Sequence, residues 1–316
     1  MAHTRRHPHA ALVAAACALA TVSCSAPRGD GDRGDGTPIV FVSILPQAYF
    51  VERVAGEHVQ IEVLVLPGQS PATYEPTAQQ MARLERATAL FTIGVPFESA
   101  FVTKIGRMLP ELEIVDTRRG IALRRMATPH HHDGHEDEAA HAHDEGAAAR
   151  LDPHTWLSPR LVKIQAATIR DTLKRLLPVH AAAFDRNHDA FAADLDRLDA
   201  TLAETMRPLA RREMLVFHPS FGYFADAYGL RQVAIEYEGK EPGPRALEGI
   251  IARAKAGGIK VVFVQKQFST RSARAIAEAI GGAVVPIDPL ARDYLTNLTE
   301  LAATVKAGLS GGGDER

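Results

Sequence analysis

Three polar residues stand where strands should end, each beside a proline: His154 in "DPHTW", His218 at the close of "LVFHP" and Asp288 in "VVPIDP". In open α/β sheets, ligands bind beyond the carboxyl ends of the strands. Proline stiffens the backbone next to each side chain and helps to hold a ligand set in place. Two imidazoles and a carboxylate form a donor set suited to Zn2+, with Mn2+ or Fe2+ also accommodated. Singly, each residue has a plainer reading. A histidine after a strand is commonly a hydrogen-bonded structural residue, and an aspartate before proline commonly starts a turn. The three together point to a metal.

Zinc held this way, with one open position, would also suit a secreted hydrolase whose bound water becomes the nucleophile. Glu236, Glu238 and Glu241 in "IEYEGKEPGP" are the residues that could serve it as a base; their plain reading is a polar loop after a strand. The chain carries no H-E-x-x-H and no Walker loop. Stoichiometric binding without turnover is the expectation.

Eight short runs should supply the strand ends. "PIVFVSIL", "VQIEVLVLP", "ATALFTIGV" and "EIVD" fall in the first half, and "EMLVFHP", "LRQVAIEY", "IKVVFVQ" and "AVVPIDP" in the second. Rich in β-branched residues and bounded by Pro or Gly, they read as buried strands. "PQAYFVERVAG", "PTAQQMARLERA", "RALEGIIARAKAGG" and "TRSARAIAEAIGG" have helical spacing, the first two opening at a proline. Alternation of this kind implies parallel sheets. Between the halves, Phe184, Phe191, Leu195, Leu198, Leu202 and Met206 recur at steps of three, four or seven, closed by Pro208. A helix of roughly 25 residues would reach about 37 Å, and serves equally as core packing or as a strut. The expected plan is an N-terminal α/β lobe over 38–180, a linking helix over 181–208 and a C-terminal α/β lobe over 209–310. His154 lies in the first lobe, His218 and Asp288 in the second, so a shared site would lie in the cleft between them.

The remaining composition bounds the class. The 316 residues are 46% hydrophobic and 23% charged, ordinary for a globular protein, and a net charge of −2 gives no basic field for nucleic acid. Residues 1–24 read as an export signal: Arg5 and Arg6 precede a short apolar run from Ala10 to Val22 that ends in "TVSC". The Gly- and Asp-rich stretch 25–37 reads as a flexible tether. A signal ending in cysteine before a tether indicates a bacterial lipoprotein acylated at Cys24, on a periplasmic or cell-surface membrane face. In the plainer alternative, Cys24 leaves with the cleaved peptide. Cys17 leaves either way, so the mature chain has no disulfide.

Residues 127–150 break the alternation. Six of the 14 histidines lie between His130 and His143: His130, His131, His132, His135, His141 and His143. This polar, low-complexity stretch has no apolar stripe and should be a mobile excursion. Clustered imidazoles suit borderline Zn2+ better than hard Mn2+ and can collect ions without a fixed site.

"SILPQAYFVERVAG", "PGQSPATYEPTAQQM", "DPHTWLSP", "FHPSFGYFADAYGL" and "DPLARDYLTNL" resemble, in order, the motifs of the cluster A-I family, the zinc- and manganese-binding lipoproteins and periplasmic proteins that serve ABC importers. The likeness runs from about Pro38 to the C-terminal helix, with "DPHTWLSP" and "FHPSFGYF" its most specific parts. It implies two Rossmann-like lobes joined by one long rigid helix, metal bound between them, and delivery to a permease by a monomer. By position, His154, His218 and Asp288 match the family's second, third and fourth ligands. Some relatives carry an adhesin role, to which nothing in this sequence speaks.

The first ligand of the family is a histidine in P-H-x-Y-E-P, and here that place is Ala72. Water should fill the vacancy, since it requires no rearrangement. The alternatives are Glu236, whose carboxylate would also balance charge, Gln47 after the first strand, or a histidine of the excursion.

Overall fold

The computed structural model describes Met1 and residues 36–126, 151–236 and 240–311. Residues 2–24 of the expected export signal, with Cys17 and Cys24, and also Glu238 and all six clustered histidines, lie outside these residues. The chain divides into Met1–Gly36 and one further unit, Thr37–Arg316.

All eight apolar runs form strands, in two four-stranded sheets. The first holds β1 (Ile39–Val42), β2 (Gln60–Val63), β3 (Ala89–Thr92) and β4 (Glu113–Asp116), in the order β2-β1-β3-β4. The second holds β5 (Glu213–Val216), β6 (Arg231–Ala234), β7 (Val261–Gln265) and β8 (Ala283–Ile287), in the order β6-β5-β7-β8. Every pairing is parallel. In each sheet the chain first moves outward to one edge and then crosses to the other side of its first strand. The reversal falls between β1 and β3, and between β5 and β7, and such points open a crevice at the carboxyl ends of the strands.

The expectation that every strand is buried needs correction. The inner strands β1, β3, β5 and β7 are almost wholly enclosed, whereas β2 and β6 are exposed at their first residue and half-buried after it. An edge strand has a neighbour on one side only, so the same β-branched residues leave part of their surface open.

The connections are helical. The first lobe carries α1 (Leu45–Ala55), α2 (Ala78–Leu84), α3 (Glu98–Met108) and α4 (Pro159–Leu176). The second helix starts at Ala78, not at Pro76, because Thr77 caps it: the Thr77 hydroxyl accepts from Gln80 N at 3.2 Å, and Gln80 Oε1 accepts from Thr77 N at 3.0 Å. In the second lobe lie α6 (Gly222–Tyr228), α7 (Pro244–Ala256), α8 (Arg271–Ala279) and α9 (Tyr294–Ser310). Gly229 closes α6 in the left-handed region at φ 67°, where a side chain would be strained.

Between the lobes runs α5 (Ala181–Met206), 26 residues and therefore about 39 Å long. Its buried residues are the six expected from the spacing, Phe184 to Met206. The helix packs on α4 and α1 and also on α9, which follows the last strand of the second sheet. It is both core element and strut. One continuous apolar core takes residues from both sheets and from α5, while a smaller core around Val262 and Ile276 lines the other face of the second sheet. The C-terminal helix returns to the first lobe, where the Tyr294 ring meets Phe50 edge-on at 4.9 Å.

Candidate metal site between the lobes

His154 is positioned by the residue two before it. Asp152 Oδ1 accepts from His154 N at 3.0 Å and lies 2.7 Å from His154 Nδ1. Asp152 itself is fixed by its backbone, whose N–H donates to Arg124 O at 2.8 Å. The histidine then opens a single 3-10 turn, Thr155–Leu157, which buries Trp156 beside its ring. His154 is 8% exposed, and burial pushes its pKa below the usual imidazole range. The neutral form is the one a metal requires.

His218 follows β5. Its N–H donates to Gln265 Oε1 at 3.1 Å, and Gln265 Nε2 donates back to His218 O at 2.7 Å and to Ser220 Oγ at 2.9 Å. Gln265 ends β7, so one amide ties the two strand ends that flank the crossover. The imidazole stacks on Phe268, with ring centres 4.9 Å apart and 20° between planes, and its Nδ1 is bonded to Glu236. Glu236 is 1% exposed. The His154 and His218 rings meet across the cleft at 5.2 Å between centres and 71° between planes.

Asp288 does not join them in a three-residue set; among the described residues no group of three or more His, Cys, Asp or Glu side chains is arranged to hold a metal. Its Oδ1 accepts from Leu290 N at 2.9 Å and from Gln267 Nε2 at 3.3 Å, and Oδ2 lies 3.5 Å from Lys266 Nζ. Asp288 is therefore held by its own lobe.

Gln47 is not available as a ligand. Fully buried, it accepts from Ser43 N at 3.1 Å and donates to Thr92 O at 3.2 Å and Thr117 Oγ1 at 3.3 Å, which knits together the ends of β1, β3 and β4. Ala72 is exposed, on a loop shaped by Gly68 at φ 82° and by Phe97 N donating to Pro71 O at 3.3 Å. Glu241 lies on the surface, accepting from Ser272 Oγ at 2.6 Å.

Residues 40–308 match the family described as zinc-uptake complex component A, periplasmic. The chain belongs to that family. A crystal structure of ZnuA is 40% identical, with a TM-score of 0.79 over 86% of this chain and 99% of that one. The high-affinity zinc uptake system protein ZnuA of Bacillus subtilis is 26% identical over 85% of this chain and 84% of its own length. The zinc-binding lipoprotein AdcA of Streptococcus pneumoniae serotype 4 is 28% identical over 88% of this chain, which spans about half, 54%, of that relative's length. The periplasmic zinc-binding protein TroA of Treponema pallidum, 20% identical with a TM-score of 0.75, shares the fold.

Within this family frame, the residues that sequence reasoning missed are those that hold the imidazoles. Asp152 could have been found, since an aspartate two residues before a histidine in "LDPHTW" is spaced to cap its backbone and reach its ring. Gln265 and Phe268 carry no comparable signal, because they meet His218 only through the pairing of β5 with β7.

Proposed function

We propose that this chain is an extracytoplasmic solute-binding protein that captures Zn2+ in the interlobe cleft and hands it to the permease of an ABC importer. The observation that carries this reading is the His154–His218 pair. A Zn–N distance of about 2.0–2.1 Å puts each ring centre about 3.2 Å from the ion, and a tetrahedral angle then separates the centres by about 5.2 Å. The separation across the cleft is 5.2 Å. Asp152 and Glu236 each engage a ring at Nδ1, which leaves each Nε2 as the nitrogen to meet a metal. Glu236 thereby acts through His218 and not as a ligand itself.

Asp288 is the third ligand, exchanging Lys266 Nζ for the ion, and a water takes the place left by Ala72. With two imidazoles the set favours Zn2+ over Mn2+, the harder ion. Relatives are named for zinc uptake, and a 38% identical structure is of a ZnuA lacking residues 138–173 with zinc bound. The histidines of 130–143 collect zinc weakly. Cys24, acylated, keeps a monomeric protein at the membrane beside its permease. Turnover has no part in the proposal: Glu236 is bonded to an imidazole and Glu241 to Ser272.

Titration calorimetry with Zn2+ and with Mn2+ tests the reading on the wild type, His154→Ala and His218→Ala. One tight zinc site is expected, weakened by several kcal/mol in either variant, as for loss of an inner-sphere ligand. Wild-type affinity and stoichiometry in His218→Ala would place the site elsewhere. Mass spectrometry of the mature N-terminus decides the anchor, which an unmodified end downstream of Cys24 would refute.

A further inference from the structure

The segment that carries His154 is fastened to the second lobe by a residue that no motif assigns to metal. Tyr223, on α6, is 7% exposed, and its hydroxyl is fully used. It accepts from Arg124 N at 3.0 Å and donates to Asp152 O at 3.0 Å. Arg124 and Asp152 are already joined through Asp152 N and Arg124 O at 2.8 Å, next to the antiparallel bridge between Arg125 and Leu151. One phenol thus bonds both segments where they meet. The Arg124 guanidinium lies over the Tyr223 ring at 5.8 Å, with Nε 4.0 Å from Asp152 Oδ2 and 3.4 Å from Asp226 Oδ2. The two oxygens of Asp152 are therefore divided: Oδ1 faces His154 and Oδ2 faces Arg124.

Gly222 makes room for this arrangement. A Cβ at that position would overlap Arg124 Nη1 and come within 2.7 Å of Asp152 Oδ2. The arginine tip can swing aside, but the Asp152 side chain, 2% exposed, has nowhere to go. Its displacement would be passed to the imidazole that it holds.

We propose that Tyr223 is a positioning residue for metal capture, acting with Arg124 through Asp152 on the His154 imidazole. The inference rests on the zinc reading above. Asp152 is the outer partner that fixes the ring and its tautomer, and loss of such a partner weakens metal binding roughly 10- to 100-fold. Tyr223 stands one step further out. Without its hydroxyl the Arg124 N–H and the Asp152 carbonyl lose a buried partner, and the Asp152 backbone is free to shift. The second lobe thereby helps to aim a histidine carried by the first.

The test uses the full chain. Zinc dissociation constants are measured by chelator competition for the wild type, Tyr223→Phe and Gly222→Ala, and nitrogen-15 histidine spectra of the zinc-free proteins read His154 Nδ1. Tyr223→Phe should weaken zinc about three- to tenfold, less than loss of the outer partner itself, and should move the His154 signal while leaving that of His218 in place. Gly222→Ala should act in the same direction, and decides the matter should Tyr223→Phe not fold. Unchanged affinity overturns the proposal, and so does weakened affinity with an unmoved His154 signal. A wild type that binds no zinc would instead overturn the zinc reading and leave the positioning of His154 to be judged by the spectra.

Discussion

Trp156 Nε1 donates to Pro289 O at 2.8 Å, joining the turn that follows His154 to the residue that follows Asp288. The indole is 1% exposed, so neither group has water as an alternative partner. Two proposed ligands from different lobes are thus spaced by one buried hydrogen bond. Trp156→Phe keeps an aromatic ring and removes the donor, leaving the Pro289 carbonyl unsatisfied. Urea unfolding should show a loss of about 1–3 kcal/mol, and chelator competition a weaker zinc site. Unchanged zinc affinity with lowered stability would show that the bond supports the fold alone.

Excision of residues 130–145 should be tolerated. The chain ends that flank them are already joined by the Arg125–Leu151 bridge and by Asp152 N donating to Arg124 O at 2.8 Å. Calorimetry on the shortened protein should retain one tight zinc site and lose the weaker additional binding. Loss of the tight site would assign an inner-sphere ligand to the excised histidines.

Glu98 gives the fold a pH dependence of its own. It accepts from Ile93 N at 3.0 Å and Gly94 N at 2.6 Å at the end of β3, yet burial outweighs these donors and pushes its pKa up to about 6 from 4.5. Between those values the folded state binds more proton than the unfolded chain, so this group's contribution to stability falls as pH rises from about 4.5 to about 6. The unfolding free energy of wild type minus that of Glu98→Gln should therefore fall by about 2 kcal/mol between pH 4 and 7. Subtracting the variant cancels every other titration. A difference that rises with pH would mean that the backbone donors prevail over burial.

The scaffold was legible because its signals are local. β-branched runs, proline starts and a stripe at steps of three and four are written in consecutive residues, and the six stripe positions of α5 are its buried residues. Degree of burial was less legible: nothing in "VQIEV" says that β2 lies at an edge, which depends on the order in which strands pair. At the site, His154 answers to the rule of a residue beside proline but follows no strand, and instead leads into the turn Thr155–Leu157. His218 could be picked out as a residue beside proline at a strand end. That Gln47 would be consumed by Thr92 and Thr117 could not, since it reaches β3 and β4 across 45 and 70 residues of sequence.

The loop around Ala72 keeps its shape without a histidine. Gly68 takes a positive φ of 82°, the Ala72 N–H donates to Ser70 Oγ at 3.3 Å, and Tyr74 is buried against Phe97 with its hydroxyl donating to Gln80 Oε1 at 2.7 Å. These contacts belong to the backbone and to neighbouring side chains, so they impose nothing on position 72, which is exposed. Of the protein groups that could have replaced an imidazole, Gln47 is locked in the sheet and Glu236 is bonded to His218. Water remains the proposed fourth ligand, with a histidine of 130–143, outside the described residues, as the other candidate, and a site with one water binds less tightly than one closed by protein donors. Ala72→His should therefore tighten zinc binding by about 1 kcal/mol or more as a new inner-sphere ligand. Competition against a chelator of known strength measures the change, and calorimetry should show the same single equivalent of zinc. Affinity that stays level or falls would mean that the vacancy is already filled by a protein group, and the three-ligand arrangement would have to be abandoned.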